Sequence, residues 1–202
     1  MKSLSGHIAE AAGKNTHMTH IEDLILDGGV KGARQAINAL RSLRDMLSGN
    51  SKKSVDITVK WDGAPAVFAG EDPRDGSFFV AKKGIFNANP KIYKSHEDIK
   101  ADTSGDLTKK LILAFDELQK LGIKGVIQGD FMFDNSDLKK ETIDGVSYTV
   151  FHPNTIAYTV PADSALAKEI RSAKIGIVWH TIYTGATFET MQAEFGREIV
   201  PK

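Results

Sequence analysis

The sequence predicts an α+β protein on three observations. Apolar residues recur at helical spacing up to Leu47, a strict two-residue alternation takes over from Val55, and only one further strong helical pattern interrupts the strands that follow. That order lacks the regular strand–helix alternation of a parallel sheet, so the sheets are expected to be antiparallel.

The first 15 residues are polar, small and weakly periodic, and read as a frayed helix or an unstructured lead-in. From Thr19 the pattern sharpens. Thr19 and Glu22 fit a capping box, and Ile21, Leu24 and Ile25 follow at helical spacing until Gly28 and Gly29 stop the helix. A longer helix is expected from Val30 to Leu47, with Ala33, Ile37, Leu40, Leu43, Met46 and Leu47 as its apolar stripe.

After the polar SGNSKKS linker, Val55, Ile57, Val59 and Trp61 alternate with Asp56, Thr58, Lys60 and Asp62, the period of a half-buried strand. Gly63 breaks it. Strands at Ala66–Ala69 and Ser77–Ala81, the second entered through DPRDG, complete an expected antiparallel meander. A helix over Leu107–Leu121 precedes strands near Val126–Phe133, Ser147–Phe151, Thr155–Val160 and Gly176–Tyr183.

Composition narrows the function classes. Lys and Arg number 26 and Asp and Glu 26, so overall charge demands neither nucleic acid nor a membrane surface. With no cysteine there is no disulfide framework, thiolate nucleophile or Cys-based zinc site. No apolar run is long enough to span a bilayer, and the start lacks a signal peptide's apolar core. A cytoplasmic, soluble monomer is expected.

The chemistry is expected at Lys60, Asp62 and Gly63. Side chains two apart on a strand share a face, so Lys60 and Asp62 present an amine and a carboxylate together, opposite Val59 and Trp61. Elsewhere the bland readings prevail. His17 and His20 read as surface imidazoles in a capping region, Lys91, Lys94 and Lys100 with Tyr93 as a solvated lysine-rich loop, and Phe78, Phe79, Phe131 and Phe133 as sheet core.

A series of segments gives Lys60 its meaning. Lys60-Trp61-Asp62-Gly63 resembles the Lys-x-Asp-Gly motif of the covalent nucleotidyltransferases, the family of DNA ligases, RNA ligases and messenger-RNA capping enzymes. Ala81-Lys82-Lys83-Gly84 resembles their second motif, in which a basic residue meets phosphate. Ile127-Gln128-Gly129-Asp130-Phe131 resembles their apolar-Asp-Gly-Glu-apolar motif, and Tyr148-Thr149-Val150-Phe151 the motif whose aromatic ring stacks on the base.

The resemblance implies an ATP-grasp-like nucleotidyltransferase domain over residues 51–202, with the helices of residues 1–50 packed outside its sheets. It implies catalytic Lys60 and Asp62, nucleotide binding by Lys60, Gly63, Lys82, Gly84, Asp130, Phe151 and His180, and Mg²⁺ at Asp130. In that chemistry a lysine amine attacks the α-phosphate of ATP and becomes a phosphoramidate that a second substrate, an RNA or DNA end, later attacks. The amine must be uncharged, so desolvation and nearby positive charge must lower its pKa from about 10.4.

The chain departs from the family at several points. Lys82 replaces an arginine, Asp130 a longer glutamate, and His152 follows Phe151 where aspartate is common. Ile175-Gly176-Ile177-Val178-Trp179-His180 stands where Glu-Gly-x-Val-x-Lys is expected, with His180 at the lysine position, and no Lys-x-Lys pair follows. Either those motifs lie beyond Lys202 in a longer parent or this lineage has rebuilt that side of the pocket. The alternative to an enzyme is a phage nucleotide- or nucleic-acid-binding protein that keeps the fold without turnover. The segments Thr16–Leu26, Phe86–Pro90 and His152–Ile156 are also similar to a group of tailed-phage proteins that share this order of blocks.

Overall fold

The computed structural model describes residues 20–49, 61–87 and 89–195. The chain divides into two compact units, Met1–Thr58 and Val59–Lys202, so the boundary falls eight residues beyond the expected one at residue 50. Val55–Lys60, the expected strand that carries the lysine, lies outside the described residues, as do Thr19 and His17.

The first unit is built on α1, Ile21–Leu47. Asp23 rather than Glu22 closes its start, accepting the His20 backbone N–H at 2.8 Å. This shifts the expected capping box by one residue. The two expected helices run together across a kink at Gly29, whose φ of 50° is open to glycine at little cost. Gly32 is buried against the kink, where any side chain would run into the Leu24 carbonyl.

The second unit holds two antiparallel sheets. The larger contains β1 (Ala66–Glu71), β2 (Phe78–Ala81), β3 (Val126–Asp134), β7 (Ile175–Thr184) and β8 (Gln192–Phe195), in the order β2-β1-β3-β7-β8. The smaller contains β4 (Lys139–Ile143), β5 (Val146–Phe151) and β6 (Tyr158–Pro161), in sequence order. Because β1 has β2 on one side and β3 on the other, the expected meander gives way to a non-sequential order. Trp61 and Asp62 belong to an irregular segment rather than to a strand.

Among the described residues three helices accompany these sheets: α2 (His96–Asp102), α3 (Gly105–Leu118, extended by a 3₁₀ turn to Leu121) and α4 (Ala165–Ser172). Leu111, Ala114, Phe115 and Leu118 of α3 pack with Val67, Ala69, Val80, Ile127 and Phe131 on one face of the large sheet. Phe68, Phe79, Val126 and Tyr183 form a second cluster with Phe188 and Met191. A third cluster, Met132, Phe133, Phe151 and Ile170, joins the sheets to α4. Burying such side chains is worth about 1.5–3 kcal/mol each, so these clusters hold the sheets together.

Sequence reading missed α2, β4, α4 and β8. The lysine-rich loop expected around Lys94–Lys100 contains α2, whose Ser95 cap accepts the Asp98 N–H at 3.2 Å. Every residue of β4 is exposed, which removes the alternation by which a strand is recognised. Among the described residues no helix is long and apolar enough to cross a membrane.

Candidate functional site

The segment that follows Lys60 is fixed to two distant parts of the second unit. Its first anchor is β3: the Ala64 N–H donates to the Phe131 carbonyl at 3.0 Å, and the Phe131 N–H to the Pro65 carbonyl at 2.9 Å. A Cβ on Gly63 would lie 2.6 Å from the Phe131 oxygen, 2.8 Å from the Met132 sulfur and 3.0 Å from the Asp130 Cβ. Glycine is therefore required by close approach to the Asp130 strand.

The second anchor is the chain after Phe151. The Tyr158 hydroxyl accepts the Asp62 N–H at 3.0 Å and donates to the Asp62 carbonyl at 2.9 Å. The Asn154 side-chain amide donates to Asp62 Oδ2 at 2.6 Å, while its Oδ1 accepts the Ile156 N–H in a local turn. Asp62, Gly63, Asp130, Asn154 and Tyr158 are thus joined by direct contacts. Asn154 and Tyr158 were not singled out from the sequence, although Asn154 lies in the His152–Ile156 block noted there, and Trp61 was expected only as part of a strand's apolar row.

Aromatic rings line the space beside this junction. Trp61 and Tyr158 have centroids 5.2 Å apart, Tyr158 stacks on Phe151 at 5.5 Å and 22°, and Phe151 meets Phe133 at 4.9 Å. They border a cavity of about 460 Å³ that also reaches Met132, Gly176 and Val178. Phe151, only 5% exposed, is held between other rings, whereas Trp61 is 46% exposed. The open stacking surface is therefore Trp61 rather than Phe151.

His180 lies beside Asp130, at a bulge that resets the strand beyond it. Ile175, Ile177 and Trp179 pack toward α3, and so does Ile182. An unbroken alternation would put Ile182 on the other face. The register resets between Gln128↔Thr181 and Gly129↔Trp179, leaving His180 as the extra residue. Its Nε2 lies 3.6 Å from Asp130 Oδ1, and its Nδ1 2.7 Å from Thr181 Oγ1. Nε2 is buried without a hydrogen-bond partner among the described residues. Beside them the Tyr183 hydroxyl donates to Gln128 Oε1 at 2.6 Å, and burial pushes the Tyr183 pKa up to about 12.

Lys82 is not brought to this junction. Its ammonium sits 3.0 Å from Asp102 Oδ2 at the end of α2, a carboxylate that also receives Lys91 at 2.6 Å and the Tyr93 hydroxyl at 2.7 Å. Lys91 foremost, then Tyr93 and Lys82, hold Asp102 well below the usual carboxylate range. Lys94 is likewise taken up by Asp72 and Asp75, each at 2.6 Å. Gly84 occupies a turn at φ 115°, closed by the Asn87 N–H to its carbonyl at 3.1 Å.

Among the described residues no three of His, Cys, Asp and Glu gather closely enough to enclose a metal ion. Asp130 offers one carboxylate. That suits Mg²⁺ carried in on phosphates, which commonly needs only one or two protein carboxylates, and does not suit a cation caged by protein.

The profile of a family of unknown function, DUF6267, matches residues 15–201, and the chain belongs to that family. No curated protein and no solved structure matches it.

Proposed function

We propose that this member of DUF6267 is an ATP-dependent, lysine-linked nucleotidyltransferase of polynucleotide-ligase type, with Lys60 as nucleophile. One observation carries the reading: the Asp62–Gly63 segment is bonded both to the Asp130 strand and to the block after Phe151. Two of the four segments that resemble the family's motifs are thereby bonded to each other, and Tyr158 stacks on Phe151 of a third.

The uncharged Lys60 amine would form a nitrogen–phosphorus bond to the α-phosphate as the bond to pyrophosphate breaks, its proton passing to solvent. A second substrate, an RNA or DNA end, would then take the nucleotidyl group and regenerate the amine. Asn154 and Tyr158 hold Asp62, and so the chain leaving Lys60, in one place; such positioning is decisive for an in-line displacement. Trp61 and Tyr158 supply a face for a base, since stacking tolerates any base. Asp130 would hold Mg²⁺, which when bound neutralises charge on the phosphates.

A second reading, nucleotide binding without turnover, is favoured by the occupation of Lys82 by Asp102 and by a buried His180 in the family's lysine position. Mass spectrometry of the protein incubated with ATP and Mg²⁺ separates the two. We expect slow addition of one AMP, abolished by Lys60→Ala. Nucleotide binding with no adduct would support the second reading, and an adduct that survives Lys60→Ala would overturn the mechanism.

A further inference from the structure

We propose that a second site, formed by Lys140, Arg171 and the Thr149 hydroxyl, binds a phosphate group. It lies between the small sheet and α4, in a cavity of about 390 Å³. Lys140 pairs across the strands with Thr149, so both side chains rise from one face of the sheet. Arg171 reaches that face from α4, donating to Thr149 Oγ1 at 2.7 Å and to the Ala162 carbonyl at 3.0 Å. These two bonds set the guanidinium in place.

The charge there is uncompensated. No carboxylate lies within ion-pairing distance of Lys140 or Arg171 among the described residues, unlike Lys82 or Lys94. Glu141 and Lys139, the neighbours of Lys140 along β4, alternate to the opposite face. Ser147 shares the Thr149 face, and its buried hydroxyl has no hydrogen-bond partner among the described residues. Like charges gathered around a concavity repel unless an anion joins them, and a guanidinium beside an ammonium group and a hydroxyl matches phosphate.

The phosphate has two sources with the same chemistry: the backbone of a polynucleotide or a small phosphorylated molecule. The site does not depend on adenylylation at Lys60, so absence of an AMP adduct would leave it standing.

The test is a titration of the isotope-labelled chain, followed by nuclear magnetic resonance at the Lys140, Thr149 and Arg171 amides. Inorganic phosphate and a single-stranded ten-nucleotide DNA are the probes, each against sodium chloride of equal ionic strength. We expect saturable shifts that chloride does not reproduce, weakened about tenfold in Lys140→Gln. Tighter binding of the DNA than of phosphate assigns the site to a polynucleotide; equal or weaker binding assigns it to a small phosphorylated ligand. Because β4 is exposed throughout, Lys140→Gln is expected to fold, which Arg171→Gln, with two structural bonds lost, is not assured of doing. Shifts that chloride reproduces, or equal affinity in the folded Lys140→Gln variant, would overturn the proposal.

Discussion

The side-chain amide of Asn154 donates a 2.6 Å hydrogen bond to the Asp62 carboxylate across 92 residues of chain. With the paired bonds between the Tyr158 hydroxyl and the Asp62 backbone, it fixes the chain just after Lys60. Tyr158→Phe removes a donor and an acceptor in one atom. Net bonds of this kind are worth about 0.5–1.5 kcal/mol each, so unfolding in urea should show a loss of about 1–2 kcal/mol. A loss below experimental error would show that these bonds do not hold the segment.

Gly63 and Gly28 should respond to alanine in opposite ways. At Gly63 the new methyl meets backbone and sulfur closer than 3 Å, and overpacking of this kind costs about 1–3 kcal/mol. At Gly28, within α1, nothing lies within 4 Å, and alanine should stabilise by up to about 1 kcal/mol through helix propensity. Thermal denaturation of both variants tests the pair, and equal shifts would contradict the close approach at Gly63.

Asp72, fully buried, takes a bidentate contact from Arg74 at 2.8–3.2 Å and the Lys94 ammonium at 2.6 Å. Arg74 foremost, with Lys94 also contributing, holds its carboxyl well below the usual carboxylate range. A folded-state pKa below the unfolded value of about 3.9 contributes stability that is fully present above that value and lost as pH falls through the folded pKa. Asp72→Asn should therefore destabilise the protein at pH 7 by about 1–3 kcal/mol, the exposed partners limiting the effect, and should flatten the decline below pH 4. An unchanged acid limb would exclude Asp72 as its source.

Trp61→Ala separates stability from recognition. The indole is 46% exposed and touches Tyr158 at one edge of the cavity, so its removal should change stability by no more than about 1 kcal/mol. If a base stacks there, at about 1–3 kcal/mol per base, nucleotide affinity should fall by about tenfold or more. Calorimetric titration with ATP measures it; unchanged affinity would move the base elsewhere.

The long elements were legible because their side chains declare a period. α3 repeats its apolar residues every three to four positions, and β3, β5 and β7 were located to within a few residues by their apolar runs. The α4 pattern went unread because eight residues give little more than two turns. The lysines at positions 91 and 94 read as solvated for want of any sign that Asp102, Asp72 and Asp75 stand across from them.

By itself the sequence determined the α+β class, the break at Gly29 and the local chemistry of the Trp61-Asp62-Gly63 segment, because period, glycine content and side-chain type are properties of neighbours along the chain. Tertiary structure alone decided that Asn154 and Tyr158 hold Asp62, that Lys82 goes to Asp102, and that β7 pairs with β3 so as to set His180 beside Asp130. Those outcomes depend on strand order and register, which bring together groups 20 to 96 residues apart, and no local pattern encodes such a separation.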